Sequence, residues 1–352
     1  MNLLSPATPS ALPAQLRLAP GRTAVWRSPT CLQLGLDPQR AMALDGLPAP
    51  LAELLRHMDG SRSTAELVTE AEKAGSTAGA ALAMLTDLYR RGLVADATAG
   101  DNGRSGWHHV ALAVEATSWS VYTTRTTRDV LRRRQACAVR VVGSGRMAVA
   151  LAGLLASAGV GQVAVAATGT VTTADIGTGY LPDDVGRRRA AAAAEAVRRC
   201  APDVTVTIRR RPDLIVLCDV VVPEPAMVAD LLATATPHLI GFAHEGTAMV
   251  GPLVWPGRSS CLRCAELHHA DLDVAWPKLA AQLAGRVPAA GLACTQLAAA
   301  LTAEQVLAAL AGPQAGLGVP PTWGAALELD PVQGTWRRHP RPTHPRCDCG
   351  AR

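Results

Sequence analysis

The sequence predicts an α/β protein with three parts: an N-terminal winged-helix pattern, a doubly wound sheet, and a cysteine-rich C-terminal region. Three observations predict this division. Short strands and three closely spaced helices fill residues 1–97, strands alternate with helices over residues 138–244, and two cysteine pairs lie towards the C-terminus. A chain of 352 residues is long enough for two domains or three.

Composition and charge exclude several classes of protein. The chain is 49% hydrophobic and 18% charged, which is typical of a globular protein and not of a disordered one. The net charge of +5 is mild, and the arginine runs lack the interleaved aromatic residues of a nucleic-acid groove, so we expect no nucleic-acid partner. Residues 1–18 lack a secretory signal, and no window reaches the roughly 18 uncharged apolar residues that a membrane span needs. We therefore expect a cytoplasmic protein.

The N-terminal domain is predicted to comprise residues 1–97. Strands are expected over residues 23–36, 41–44 and 93–95, because β-branched and apolar residues alternate between turn signals. Helices are expected over residues 48–58, after Ser63, and over residues 77–91 up to Gly92, because leucines recur there at helical spacing. Three helices followed by a short strand are typical of a winged helix.

Residues 98–137 are predicted to link the two domains. The polar segment 98–105 indicates a linker, whereas residues 110–129 suit a strand followed by a helix. A further helix, which holds Arg132, Arg133 and Arg134, leads into the second domain.

The second domain is predicted to run from residue 138 to residue 352. Strands and helices alternate in its first half, which indicates a mostly parallel, doubly wound sheet. The predicted strands are 138–142, 162–167, 204–209, 214–222 and 238–244, and the predicted helices are 147–158, 188–200 and 224–234. Beyond residue 250 we expect an apolar helix over residues 291–310 and a strand over residues 324–329.

A glycine turn follows the first strand of this domain. Gly143, Gly145 and Ala148 form a G-x-G-x-x-A pattern between a strand and a helix, and backbone N–H groups at such a helix start suit a phosphate. A dinucleotide enzyme should carry an acid at the end of the next strand, but Ala167 stands there. The turn therefore either holds a nucleotide or serves packing alone.

Four cysteines give the strongest chemical signal. Cys261 and Cys264 form a C-x-x-C pair, and Cys347 and Cys349 add two thiols near the chain end. Four thiolates satisfy tetrahedral zinc without an open position, so the pattern favours a structural zinc site over a redox pair or unrelated thiols. The nearby histidines could replace one thiolate but are interpreted as surface residues; they are His268, His269 and His344.

At these motifs the sequence resembles the ThiF/HesA/MoeB superfamily, whose domain also underlies the ubiquitin-activating enzymes. The resemblance runs from Val139 to Cys349 and rests on the glycine turn, on ASAGVGQVAV at 156–165, on DVGRRRAAAAAEAVRR at 184–199, and on Asp219 after a strand. It implies a Rossmann-like domain. In that family the turn and nearby acids hold ATP, and the enzyme adenylates the C-terminal carboxylate of a small protein.

The chain departs from the family where the ATP chemistry is done. Ala167 and Gly169 stand in place of the D-x-D acids, and Arg189 stands in place of the family lysine. Asp175 and Thr178 take the positions of the asparagine and arginine of N-x-x-R-Q. The resemblance thus implies a nucleotide-site remnant, formed by Gly143, Gly145, Ala148, Arg189 and Asp219. We therefore expect ATP binding to be weak or absent, and the chain to be a non-catalytic relative.

The N-terminal segment resembles the PqqD-like domains that recognise leader peptides of ribosomally made natural products (RiPP biosynthesis). Its matching stretches are LLRHMDGSRSTAELVTEA and LTDLYRRGLVAD. The resemblance implies that a peptide docks as an added strand beside a helix groove. We expect the peptide to contact Leu34, Leu85, Arg90 and Arg91.

Together these parts resemble actinobacterial leader-peptide-binding partners of YcaO-type cyclodehydratases, which act in thiazole/oxazole-modified microcin (TOMM) biosynthesis. The resemblance implies a scaffold that presents a precursor leader peptide to the YcaO enzyme, which uses the ATP. A homodimer is compatible with this function. One alternative is an ATP-dependent adenylyltransferase of the ThiF type. Another is a DNA-binding regulator, although the recognition-like helix offers only Arg90 and Arg91 as cations.

Overall fold

The computed structural model describes residues 12–19, 23–38, 41–91, 93–98, 107–120, 122, 127–312 and 316–351. It divides the chain into two compact units, Met1–Val130 and Leu131–Arg352. Gly92 and all of the predicted linker 98–105 except Thr98 lie outside the described residues.

The first unit contains two small antiparallel sheets and the predicted helical trio. One sheet has the strand order β2-β3-β4 and the other has the order β5-β1-β6. The elements are β1 (Gln15–Leu18), β2 (Ala24–Ser28), β3 (Cys31–Leu34), β4 (Met42–Leu44), α1 (Ala49–Arg56), β5 (Asp59–Ser63), α2 (Thr64–Lys73), α3 (Ala78–Arg90), β6 (Val94–Asp96) and α4 (Trp107–Ser120).

Apolar faces of the three helices α1, α2 and α3 form the core of this unit together with the strands. Leu16, Leu32, Leu55, Leu67 and Leu85 are among its fully buried side chains. The start of α2 is fixed by a capping box in which the Ser63 hydroxyl accepts the Glu66 N–H at 3.2 Å and the Glu66 carboxylate accepts the Ser63 N–H at 2.7 Å. The predicted positions of the three helices are therefore confirmed.

Two predictions for this unit were incomplete. The strand β5 has the polar sequence DGSRS, without strand periodicity, and is extended because it pairs with β1. The segment 110–129, predicted as a strand and then a helix, lies in helix α4 and in the start of a further helix at Thr127, and its described residues contain no strand. The run of apolar residues in α4 has no clear period of two residues or of 3.6, so the sequence could not distinguish a strand from a helix there.

The second unit is built on a mixed sheet of seven strands in the order β13-β12-β11-β10-β9-β7-β8. Its elements are α5 (Thr127–Ala136, which crosses the unit boundary), β7 (Ala138–Val142), α6 (Arg146–Ser157), β8 (Gln162–Ala166), α7 (Arg189–Cys200), β9 (Leu214–Cys218), α8 (Pro225–Ala233), β10 (His238–His244), β11 (Thr247–Val254), α9 (Leu262–Leu272), α10 (Trp276–Leu283), α11 (Leu292–Ala311), β12 (Ala325–Asp330) and β13 (Thr335–Pro340).

The sheet is parallel only over β8, β7, β9 and β10, so the prediction of a mostly parallel sheet was wrong for its other half. The change occurs at Glu245 and Gly246, whose φ values of 47° and 86° make a two-residue hairpin turn. Such a turn reverses the chain, whereas a parallel neighbour needs a crossover helix. The predicted strand 204–209 was also wrong, because only Thr205 pairs there, with Gln162.

Helix α11 packs against α6 and the sheet strands β10 and β11. Although it contains the charged residue Glu304, it is long and apolar enough to cross a membrane by length and composition, the one such helix among the described residues. More than half of its apolar window, 56%, is buried inside the fold, as in the core helix of a soluble protein.

Candidate functional site

The glycine turn leads from β7 into α6, and the carboxylate of Asp219 occupies the start of that helix. Its Oδ2 atom accepts the N–H of Gly145 at 3.0 Å and the N–H of Ala148 at 3.3 Å. These are N–H groups that the helix cannot satisfy itself, and they favour an anion. An internal carboxylate thus lies where the sequence analysis placed a phosphate.

The two glycines are required by this carboxylate. A Cβ atom at Gly145 would lie 2.6 Å from the Asp219 carboxyl carbon, and one at Gly143 would lie 2.9 Å from its Oδ2. Asp219 follows β9 with a left-handed φ of 61°, which directs it into the turn. Burial raises the pKa of Asp219 to about 6, although the N–H groups of Gly145 and Ala148 oppose the shift.

Arg189, which aligns with the family lysine, is engaged inside the protein. Its guanidinium pairs with Asp175 at 2.7 Å and donates to the Thr168 carbonyl at 3.2 Å. Burial alone would raise the pKa of Asp175, but the bonds from Arg189 and Thr172 lower it overall. Asp175 therefore stays ionised, and its negative charge balances the positive charge of Arg189.

Sequence reasoning named Asp175 and Arg189 separately but missed their pairing. The signal was available: an acid replaces the family amide and an arginine replaces the family lysine in one region of the domain. A second cation, Arg146, donates to the Ala290 carbonyl at 2.8 Å. Both of these cations beside the turn thus have partners within the chain.

The four predicted cysteines meet in one cluster. Cys261 precedes α9, Cys264 lies in its first turn, and Cys347 and Cys349 arrive from the segment after β13. All four sulfur atoms lie within 4.8 Å of one another. The Sγ distances are 3.8 Å for Cys261–Cys264, 3.6 Å for Cys261–Cys347 and 3.7 Å for Cys264–Cys349.

This geometry fits a tetrahedral metal. Four sulfurs about 2.3 Å from a central zinc ion would be about 3.8 Å apart. Burial raises the pKa of the Cys261 thiol, and burial together with the Cys264 thiol raises that of Cys347 to about 11. Hydrogen bonds, among them one with the backbone of Ala351, lower the pKa of Cys349 overall despite its burial. A bound cation would favour the thiolate forms of Cys261 and Cys347, and a site of four sulfurs suits zinc or iron.

The neighbouring histidines do not belong to the sulfur cluster. His344 is only 4% exposed, so its interpretation as a surface residue was wrong. Its Nε2 lies 2.8 Å from the Asp271 carboxylate. His268 approaches the Pro342 carbonyl, and the His269 ring packs edge-on against Trp276.

The predicted peptide-binding residues separate into two groups. Leu34 and Leu85 are 1% and 0% exposed and belong to the core, so they cannot contact a ligand directly. The strand β3 that holds Leu34 is the central strand of its sheet, and both of its edges are paired. Arg90 and Arg91 are exposed at the end of α3, and Arg91 pairs with Asp87 at 2.8 Å.

The fold and these sites define a class: α/β proteins with a Rossmann-type glycine turn and a separate four-cysteine cluster. Residues 123–232 match the model of the ThiF family. The chain therefore carries a ThiF-family domain over these residues, which confirms the resemblance to that family; the PqqD-like resemblance of the N-terminal segment stays a prediction. No curated protein matches the sequence.

Solved structures with a similar fold cover more than nine tenths of the chain. The microcin C7 biosynthetic enzyme MccB in complex with N-formylated MccA is 13% identical, with 96% of this chain and 99% of that chain covered and a TM-score of 0.70. E. coli MccB with ATP is 14% identical, with coverage of 96% and 99% and a TM-score of 0.68. PaaA is 17% identical, with coverage of 92% and 99% and a TM-score of 0.69.

The buried Asp219 carboxylate predicts a pH-dependent stability. Its folded-state pKa of about 6 exceeds its ordinary value of 3.8, so the folded state holds the proton more tightly. Stability from this group is present below about pH 4, falls as the pH rises towards 6, and then stays constant. The Asp219→Asn variant cannot titrate there, and its asparagine tolerates the left-handed backbone.

Urea unfolding at several pH values tests this expectation. Between pH 4 and 7, the free energy of unfolding of the wild type should fall by roughly 2.4 kcal/mol relative to Asp219→Asn. The exposed Asp183→Asn change should leave the curve parallel to that of the wild type. Parallel curves for the wild type and Asp219→Asn would contradict the buried-acid assignment.

Proposed function

We propose that the chain is a peptide-binding scaffold that presents the leader of a ribosomally made precursor peptide to a YcaO-type cyclodehydratase. The observation that carries this proposal is the ion pair between Arg189 and Asp175, which engages within the chain the cation that a phosphate of ATP would need. The likeness in fold to MccB, solved with MccA, supports a peptide partner.

The glycine turn is poorly suited to ATP for electrostatic reasons. A phosphate at the start of α6 would meet the Asp219 carboxylate at short range, and two like charges about 4 Å apart repel by about 4 kcal/mol near a protein surface. Ala167 and Gly169 offer no carboxylate for ribose or magnesium. Arg189 would have to leave Asp175 to reach a phosphate.

The alternative is an ATP-dependent adenylyltransferase of the ThiF type. The left-handed backbone at Asp219 and its raised pKa favour this alternative, because functional groups are often held in such strained and perturbed states. E. coli MccB, which has the same fold, has been solved with ATP. In this chain Asp219 would first have to leave the N–H groups of the turn.

Nucleotide assays separate the two functions. Under the scaffold proposal, the protein should catalyse no pyrophosphate exchange into ATP with any acceptor peptide. Calorimetry should detect weak ATP binding or none, with or without magnesium. Tight, magnesium-dependent binding that is lost in Asp219→Asn would favour the adenylyltransferase.

The peptide site is proposed to lie in the first unit. Because β3 is internal, an added strand could pair only with a free edge of that sheet, at β2 or β4. Arg90 at the end of α3 would attract an acidic leader, an effect that salt should weaken. In the other interpretation, Arg90 and Arg91 only stabilise the helix end through its dipole.

Charge reversal tests the assignment of Arg90 and Arg91. The double change Arg90→Glu and Arg91→Glu should weaken binding of an acidic leader about tenfold, or roughly 1.4 kcal/mol, without unfolding the protein. Arg198→Glu is the matched control, since Arg198 is exposed in the last turn of α7 in the other unit. Equal leader affinities for all three proteins, measured by fluorescence anisotropy, would exclude this surface.

The four-cysteine cluster is proposed to hold one structural zinc ion. Its four sulfurs leave no open position for substrate, so the ion would contribute to folding and not to catalysis. None of the nine cysteines forms a disulfide, which suits the reducing cytoplasm that we propose as the location.

Metal analysis tests the zinc site. The wild type should contain about one zinc per chain under reducing conditions, and Cys261→Ser with Cys264→Ser should lose it and unfold more readily. Cys200→Ser, which changes a thiol on α7, should keep the metal. A reduced wild type without zinc would refute the site.

A further inference from the structure

The C-terminal segment 341–349 lies along α9 and is held by polar contacts as well as by the cysteines. Asp271, at the far end of α9, forms a hydrogen bond with the His344 ring and an ion pair with Arg346. His268 of α9 lies 3.3 Å from the Pro342 carbonyl and packs its ring edge-on against His344, with ring centroids 4.6 Å apart. These contacts hold residues 342–346 against α9, and Cys347, the next residue, completes the sulfur cluster.

His344 is the centre of this arrangement. Its Nδ1 accepts the backbone N–H of Arg346 at 3.1 Å, and its carbonyl accepts the N–H of Cys347 at 2.9 Å. Because Nδ1 accepts, the ring proton is assigned to Nε2, which donates to Asp271 at 2.8 Å. The ring therefore fixes the turn that leads into Cys347 through both of its nitrogen atoms.

Burial distinguishes the pair His344–Asp271 from the neighbouring pair Arg263–Asp348. The side chain of His344 is 2% exposed, whereas both partners of Arg263–Asp348, an ion pair between α9 and the same segment, are 54% and 83% exposed. An exposed pair contributes little, since solvent screens it and holding it costs side-chain entropy. A buried ring that loses its partners leaves backbone donors unsatisfied.

We propose that His344 and Asp271 are positioning residues for the metal: they hold the turn before Cys347 so that its thiolate meets Cys261 and Cys264 at bonding geometry. The proposal rests on the proposed zinc site. Outer contacts of this kind orient metal ligands, and their loss lowers metal affinity. None of the four sulfurs is removed by changing them.

Zinc affinity, measured by competition with a chromophoric chelator on the full chain, tests the proposal. His344→Phe keeps the ring volume and removes both hydrogen bonds, so affinity should fall by about tenfold or more. His344→Asn keeps an acceptor for the Arg346 N–H and should restore part of the loss. Asp271→Ala changes a half-exposed side chain, which keeps the test open if His344→Phe fails to fold.

Two further measurements make the outcome decisive. Asp348→Asn, which breaks the exposed pair in the same segment, should keep the wild-type affinity. In the cobalt-substituted protein, His344→Phe should alter the ligand-field absorption bands, which a change in folding stability alone would not do. Wild-type affinity and spectra in both His344→Phe and Asp271→Ala would overturn the positioning role, whereas a wild type that bound no zinc would overturn the zinc site as well.

Discussion

The contact between the Asp219 carboxylate and the first turn of α6 is the interaction on which the centre of the ThiF-like domain depends. It joins the end of β9 to the start of α6 and excludes any side chain at Gly143 and Gly145. A carboxylate at a helix start is favourable, but burying its charge is not. As a result of these two opposing effects, hydrogen bonds hold the carboxylate in place while its pKa, at about 6, lies close to neutral pH.

Around this contact, charges are balanced within the chain. Arg189 faces Asp175, and Arg146 reaches a backbone carbonyl. A binding site for a highly charged ligand normally keeps some of its charge unbalanced until the ligand arrives. Here Arg189 and Arg146 already have partners within the chain, as charged side chains do where they serve packing and not ligand binding.

The sequence could predict those features that are determined by residues close together in the chain, and not those that depend on distant partners. The strand 138–142 and the four sulfur ligands followed from apolar runs and from spacing, because those signals lie in the residues themselves. The strands β5 and β13 did not, since DGSRS and TWRRHP are extended only through their pairing partners. Leu34 and Leu85 were assigned to a surface because apolar periodicity marks the inner face but does not show what covers it. The burial of His344 depends on a contact with Asp271, 73 positions earlier in the chain.

The cysteine cluster has a topological consequence. Cys261 and Cys347 are 86 positions apart, and the elements between them include the exposed α10 with no buried side chain. A metal at the cluster would close this segment into a ring, and a cross-link over a loop of that length restricts the unfolded chain by about 4–5 kcal/mol. A protease that cut the backbone within α10 would open the ring without separating the pieces, because the sheet and the metal would each still tie one fragment to the other.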